Sequence, residues 1–234
     1  QLLQQLAAVG LPGIHAFAEG VAVKNIFTLM TYILIFITAI VSIAAFNNRQ
    51  LFDRLAFVPY RVVHRREWYR AVSYGFVHGD YMHLIVNMLV LLSFGQFLEQ
   101  LFKAYQQAGT IFSGYLSYGL LYFGGLLFSV LPDLVRRRDD PQYASIGASG
   151  AVSAVIFTSI FFNPWSKIYF FGILPIPGIL FGILYVGYEQ YMSRRPGDHI
   201  NHNAHLFGAL FGFVFPLLME PSLWHVFVKN LTSF

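Results

Sequence analysis

The sequence predicts an all-α membrane protein built as a bundle of six transmembrane helices. Three observations carry that prediction. Hydrophobic residues make up 56% of the 234-residue chain and charged residues only 11%, whereas a soluble domain carries about 25% charged residues. Mean hydropathy is +0.57, so too little charge is present to coat a globule of this size. Apolar windows near the roughly 20 residues needed to cross a hydrocarbon core recur along the whole chain.

The first span is expected over 26–46, an uncharged run that follows Lys24. The 25 residues before it make a poor span because they contain Gly10, Pro12, Gly13, His15 and Glu19. A truncated end, a processed end and a peripheral helix all fit them. The second span is expected over 81–102, with Gln96 and Glu99 late in it, and the third over 110–131. The fourth, 147–163, opens on Gly147-Ala148-Ser149-Gly150. The fifth, 168–188, is interrupted by Pro175 and Pro177, which membrane helices tolerate where neighbours satisfy the freed carbonyls. The sixth, 203–220, opens on Ala204-His205, and a short tail over 221–234 closes the chain. One compact domain over 26–220 accounts for all six.

The connection 47–80 is the longest. It mixes six arginines with Phe52, Phe57, Tyr60, Trp68 and Tyr69, a composition that favours a structured element at the membrane interface over a plain solvated loop. All eleven arginines fall in the odd-numbered connections, while Lys24, Lys103, Lys167 and Lys229 lie on the other side. By the positive-inside rule the arginine side is cytoplasmic. The chain has no cysteine and a net charge of +4. Disulfides and thiolate metal sites are therefore excluded, and the scattered charge gives no nucleic-acid surface.

Spans two, four and six start from the same membrane face, which brings His83, Asn87, Ser149 and His205 to a similar shallow depth. Ionisable groups inside a membrane are costly and default to a functional reading. Spacing of four puts His83 and Asn87 on one helix face. Gly208 and Gly212 share the face of His205, and Gly147, Gly150, Ala151 and Ala154 offer a matching small-residue surface on the fourth span. A close contact there would bring His205 to Ser149. Serine chemistry needs a base and donors for the developing oxyanion. His205 can be the base, and the Ser149 amide at a helix start, with Asn87 and His83, can be the donors. No Asp or Glu is expected in a span at that depth, so a Ser-His dyad is the simplest arrangement. Each residue alone has a bland reading, since a serine in a membrane helix more often bonds its own backbone and a lone histidine can serve packing.

Other chemistries fit less well. A hydrolase elbow needs glycine where Ala151 stands and a preceding strand. The His-Glu-x-x-His zinc motif is absent. Among His78, His83, His199, His202 and His205 only His199 and His202 share a helical face, so neither a metal nor another cofactor is called for.

These motifs, in this order, resemble those of bacterial rhomboids, the intramembrane serine proteases, over roughly 26–220. Gly147-Ala148-Ser149-Gly150 is similar to the nucleophile motif, and Ala204-His205 with Gly208 and Gly212 to the catalytic-histidine helix. His78, His83 and Asn87 follow the His-x4-His-x3-Asn pattern of the second span. Trp68 and Arg70 fall where the family has a tryptophan-arginine pair, here separated by Tyr69, and Gly95 with Glu99 resembles the end of the second span. The resemblance implies a multi-pass protein of a bacterial inner membrane with cytoplasmic termini, against the arginine count. It also implies single-span membrane proteins as substrates, with lipid as the other partner and no obligate protein partner, and it makes the proline-softened fifth span a lateral gate. Many bacterial relatives carry an aromatic four residues after the nucleophile, stacked on the histidine; here that residue is Ser153, which leaves two alternatives: another ring, such as Phe207 or Tyr143, takes that place, or His205 is held more loosely. The rival reading, a non-catalytic relative that binds membrane helices, predicts loss of the serine or histidine, and both are present. A small-solute transporter would want more charge inside the spans.

Overall fold

The computed structural model describes residues 28–170, 173–195 and 200–233; the expectations for 1–25 and for His199 lie outside the described residues. Helix α1 spans Leu29–Phe46, α5 Tyr81–Gln107, α6 Gly114–Arg136 and α9 His202–Met219, and these four are long and apolar enough to cross a membrane. Between α1 and α5 the aromatic-rich connection folds into α2 (Arg49–Leu55), α3 (Pro59–Arg65), α4 (Arg70–Ser73) and a 3₁₀ turn over Tyr74–Phe76. A structured element is thus present where a loop with anchors was the alternative. Arg70 is its centre: the side chain is buried, donates from Nη1 to the carbonyls of Asp53 (2.8 Å) and Ala56 (2.7 Å), and pairs through Nε with Glu67.

Helix α7 runs from Ser149 to Phe162 and is the centre of the bundle, with every residue except Ser149 and Ile156 buried. A helix hydrophobic on all sides belongs in a core, and α5, α6 and α9 surround this one. Its 14 residues span only about 21 Å at 1.5 Å per residue, short of a hydrocarbon thickness near 30 Å. Ser149 is its first residue and lines an open cavity.

The fifth expected span is corrected. Residues Lys167–Phe170 (β1) and Leu174–Pro177 (β2) pair as an antiparallel hairpin, with Lys167 opposite Pro177 and Tyr169 opposite Pro175. Pro175 and Pro177 cannot donate to a helix ladder, but both strands of a two-stranded ribbon are edges, where proline is tolerated. The helix starts only after them, as α8 (Gly178–Met192), and buries just Gly178, Gly182 and Glu189. The closing tail is helical too: α10 (Leu223–Thr232) packs Phe227 on Phe161, rings stacked at 5.1 Å.

Two polar features hold the bundle. Glu99, fully buried on α5, accepts from the Met30 and Thr31 amides (3.1 and 2.9 Å) and from Thr31 Oγ1 (2.8 Å). It thereby satisfies amides of the first α1 turn that have no helical partner. The α7–α9 contact is as close as expected. A Cβ at Gly208 would lie 2.2 Å from the Gly150 carbonyl oxygen, and one at Gly212 2.1 Å from that of Ala154. Thr158 Oγ1 donates to the Gly212 carbonyl at 2.6 Å across the same seam.

Gly212→Ala should therefore destabilise the protein in detergent, by about 1–3 kcal/mol as overpacking does, while Leu210→Ala on the outward face should change it little. Thermal unfolding of the two variants makes the comparison. Equal tolerance would mean that the helices are not in backbone contact at Gly212.

Candidate active site

The site is built around the turn that starts α7. Gly147 has φ +103°, a conformation that favours glycine, and a Cβ there would meet the His83 ring at 2.7 Å. Its amide donates to the Tyr74 carbonyl (3.0 Å), and the neighbouring Ala148 amide donates to His78 Nε2 (3.3 Å). His78 Nδ1 lies 2.9 Å from Ser42 Oγ, which donates to the Phe76 carbonyl at 2.9 Å. Donor and acceptor bookkeeping closes only one way: His78 accepts at Nε2, carries its proton on Nδ1 and gives it to Ser42. His78 is thus a structural clamp on the turn that leads into Ser149. Burial above all, with His83 adding to it, pushes its pKa down to about 3.

Ser149 is the first residue of α7, and its Oγ lies 2.7 Å from His205 Nε2. His205 sits on the first turn of α9, where Asn201 caps the helix by accepting from the Ala204 amide at 3.1 Å. The same Asn201 donates through Nδ2 to Asp133 (2.6 Å) and Ser145 Oγ (3.0 Å), and Tyr143 donates its hydroxyl to Asp133 at 2.8 Å. Helix α9 is therefore registered to α6 and to the segment leading into Ser149 before any substrate arrives.

The expectation of no carboxylate at this depth is overturned. Glu189, 3% exposed on α8, has Oε1 3.1 Å from His205 Nδ1 and Oε2 2.6 Å from His202 Nδ1. The expected fifth span stopped at 188, one residue short, because the hairpin was read as its first half. The ligating atoms of Glu189, His202 and His205 lie within 4.8 Å of one another, near enough for one cation. As they stand, hydrogen bonds join the carboxylate to both rings, and a cation would have to displace the protons on Nδ1.

His83 and Asn87 face the same open cavity of about 1260 Å³ as Ser149 and His205, so the structure brings all four together. Asn87 Nδ2 donates to the His83 carbonyl at 2.8 Å; an amide nitrogen has a second proton for another acceptor. At Ser153 the structure also departs from expectation. Neither Phe207, exposed, nor Tyr143, bonded to Asp133, takes the place of the ring. Instead Tyr185 of α8 brings its hydroxyl to Ser153 Oγ at 2.8 Å.

Comparison with known proteins points to one family. Residues 65–222 match the family described as the Rhomboid domain. The chain is 31% identical over 59% of its length to "RHOMBOID-like protein 12, mitochondrial" of Arabidopsis thaliana, and 33% identical over 73% to "RHOMBOID-like protein 4" of the same plant. It is 27% identical over 68% of its length to "Rhomboid-related protein 2" of Mus musculus. These matches cover 42%, 39% and 54% of the respective relatives, so the chain spans about half their length or less.

The His78 clamp has a measurable pH signature. Its folded pKa, about 3, lies below the 6.5 of a free histidine, so below pH 6.5 the unfolded chain binds a proton that the folded chain refuses. The stability it contributes is complete above that value and is lost as pH falls towards 3, by up to about 1.4 kcal/mol per pH unit. Thermal stability measured between pH 7 and 5 should decline more steeply for wild type than for His78→Gln. Parallel slopes would show that His78 accepts a proton in the fold.

Proposed function

The chain belongs to the rhomboid family, and we propose that it is an intramembrane serine endopeptidase that cleaves single-span membrane proteins in or near their transmembrane segment. The observation that carries this reading is the 2.7 Å contact between Ser149 Oγ and His205 Nε2 at an open cavity. As Ser149 Oγ bonds to the substrate carbonyl carbon, its proton passes to His205 Nε2 and the carbonyl oxygen becomes an oxyanion. The Ser149 amide, at the positive end of α7, receives that charge together with the Asn87 side chain and His83. Collapse breaks the C–N bond, and His205 returns its proton to the leaving amine. A water molecule then repeats the sequence on the acyl-enzyme, releasing the new carboxyl end and restoring Ser149.

The place of Ser149 at the very start of α7, open to the cavity, supports cleavage near one membrane surface. A substrate helix hides its carbonyls in its own hydrogen bonds, so it must unwind locally to be cut. The loosely packed α8 and the hairpin before it offer the way in from lipid. On the family resemblance both termini lie on the cytoplasmic side and the Ser149 end opens away from it.

Ser149→Ala and His205→Ala should each abolish cleavage of a single-span reporter in proteoliposomes, and the double variant should be no worse than either, since the two act as one unit. A fluorophosphonate probe should label Ser149 only while His205 is present, because an unassisted hydroxyl is a poor nucleophile. Wild-type turnover by Ser149→Ala, or an adduct on Ser153, would sink the assignment.

Asn87→Ala should lower kcat rather than raise KM, with a loss on the order of 10²–10³ as the upper bound for a lost oxyanion donor. Normal turnover at saturating reporter would reduce Asn87 to a packing residue.

A further inference from the structure

Helix α8 supplies a group that the two-residue mechanism leaves unused. Glu189 is almost fully buried, and its two oxygens face two different imidazoles. We infer that Glu189 is a positioning residue that turns the reactive pair into a Ser149–His205–Glu189 triad, holding the His205 ring in the one tautomer that can take the serine proton. The inference rests on the proteolytic reading of the same site.

An ionised carboxylate can only accept hydrogen bonds. Facing Oε1 at 3.1 Å, His205 Nδ1 must therefore carry the ring's proton, which leaves a lone pair on Nε2 aimed at Ser149 Oγ, 2.7 Å away. Without the carboxylate the neutral ring has no such bias, and the tautomer with its proton on Nε2 cannot act as base. His202 explains why the carboxylate stays in place: its Nδ1 holds Oε2 at 2.6 Å, so Glu189 is clamped through one oxygen and orients His205 through the other. The Tyr185 hydroxyl, one turn earlier on α8, anchors that helix to Ser153 of α7 at 2.8 Å. The arrangement thus spans three helices: nucleophile on α7, base on α9, orienting carboxylate on α8.

The proton inventory is simple. The serine proton moves to His205 Nε2 as the Oγ–C bond forms, the ring becomes an imidazolium with both nitrogens protonated, and Glu189 remains ionised beside it. No proton passes to the carboxylate. Its negative charge stabilises the imidazolium more than the neutral ring, which favours the transition state over the ground state.

The test is Glu189→Gln, close in shape but able to offer an N–H to Nδ1 and so to favour the wrong tautomer. Reporter cleavage should lose kcat by up to about 10⁴, the loss seen when the orienting acid of soluble triads is changed, with KM altered less than about threefold. Nitrogen-15 NMR of histidine-labelled protein, with His205→Ala to assign the signals, should show His205 protonated at Nδ1 in wild type and at Nε2 in Glu189→Gln. The wild-type spectrum decides the matter even if the variant does not fold. A wild-type ring protonated on Nε2, or a folded Glu189→Gln with wild-type kcat, would overturn the inference. Failure of the proteolytic reading looks different: wild type and Ser149→Ala would be equally inert to reporter and to fluorophosphonate, whatever tautomer the spectrum shows.

Discussion

The backbone contact between α7 and α9 sets everything else in this molecule. Water gives membrane helices no hydrophobic incentive to associate, so close packing and interhelical hydrogen bonds must do the work. Here both occur on one seam. Gly208 and Gly212 leave no room for a Cβ against the Gly150 and Ala154 carbonyls, and Thr158 bonds the Gly212 carbonyl across the gap. His205 stands one turn before Gly208, so this seam fixes the distance between its ring and Ser149. A longer side chain at either glycine would move His205 away from Ser149 without touching either one.

Around the seam, buried polar groups are joined into chains that end on backbone. His78 runs from the Ala148 amide through Ser42 to the Phe76 carbonyl; Asp133 collects Tyr143 and Asn201; Glu99 caps α1; Arg70 gathers the carbonyls of α2. Burying such groups unpaired costs several kcal/mol each in an apolar setting. Paired, they are directional where apolar packing is not: the His78 and Asp133 sets tie distant elements to the end of the bundle that holds Ser149, while Glu99, late in α5, joins that helix to the start of α1. The long connection between α1 and α5 takes part as well, since Phe57 exchanges backbone hydrogen bonds with Ser145, four residues before the nucleophile.

Much of this was legible in the sequence. Five of the six apolar windows became helices near their expected ends, because length and hydropathy alone specify them. Ser149 and His205 were legible as a pair because small residues flank both, and small residues are what close approach requires. His83 and Asn87 followed from their spacing of four. Glu189 was not legible, and the reason is local: Pro175 and Pro177 were read as kinks in a helix rather than as strand residues, which shifted the helix start and cut off its last turn. Asp133 was not legible either. Its actual partners, Tyr143 and Asn201, lie across the fold, and side-chain hydrogen bonds over such separations leave no periodic trace.

The two kinds of helix in the bundle suit different parts of the chemistry. Helices α7 and α9 are locked together by missing side chains and cannot separate without breaking many contacts. Helix α8 is held at the site end by only a few polar bonds, from Tyr185 to Ser153 and from Glu189 to His202 and His205. Under the proposed function, a substrate entering beside α8 would displace that helix and leave the spacing of Ser149 and His205 to the α7–α9 seam. Return of α8 would restore the Glu189 contact, so on the triad inference the helix with the fewest buried residues is also the one that orients His205. In such an arrangement His205 is fully set for proton transfer only while the bundle is closed around its site.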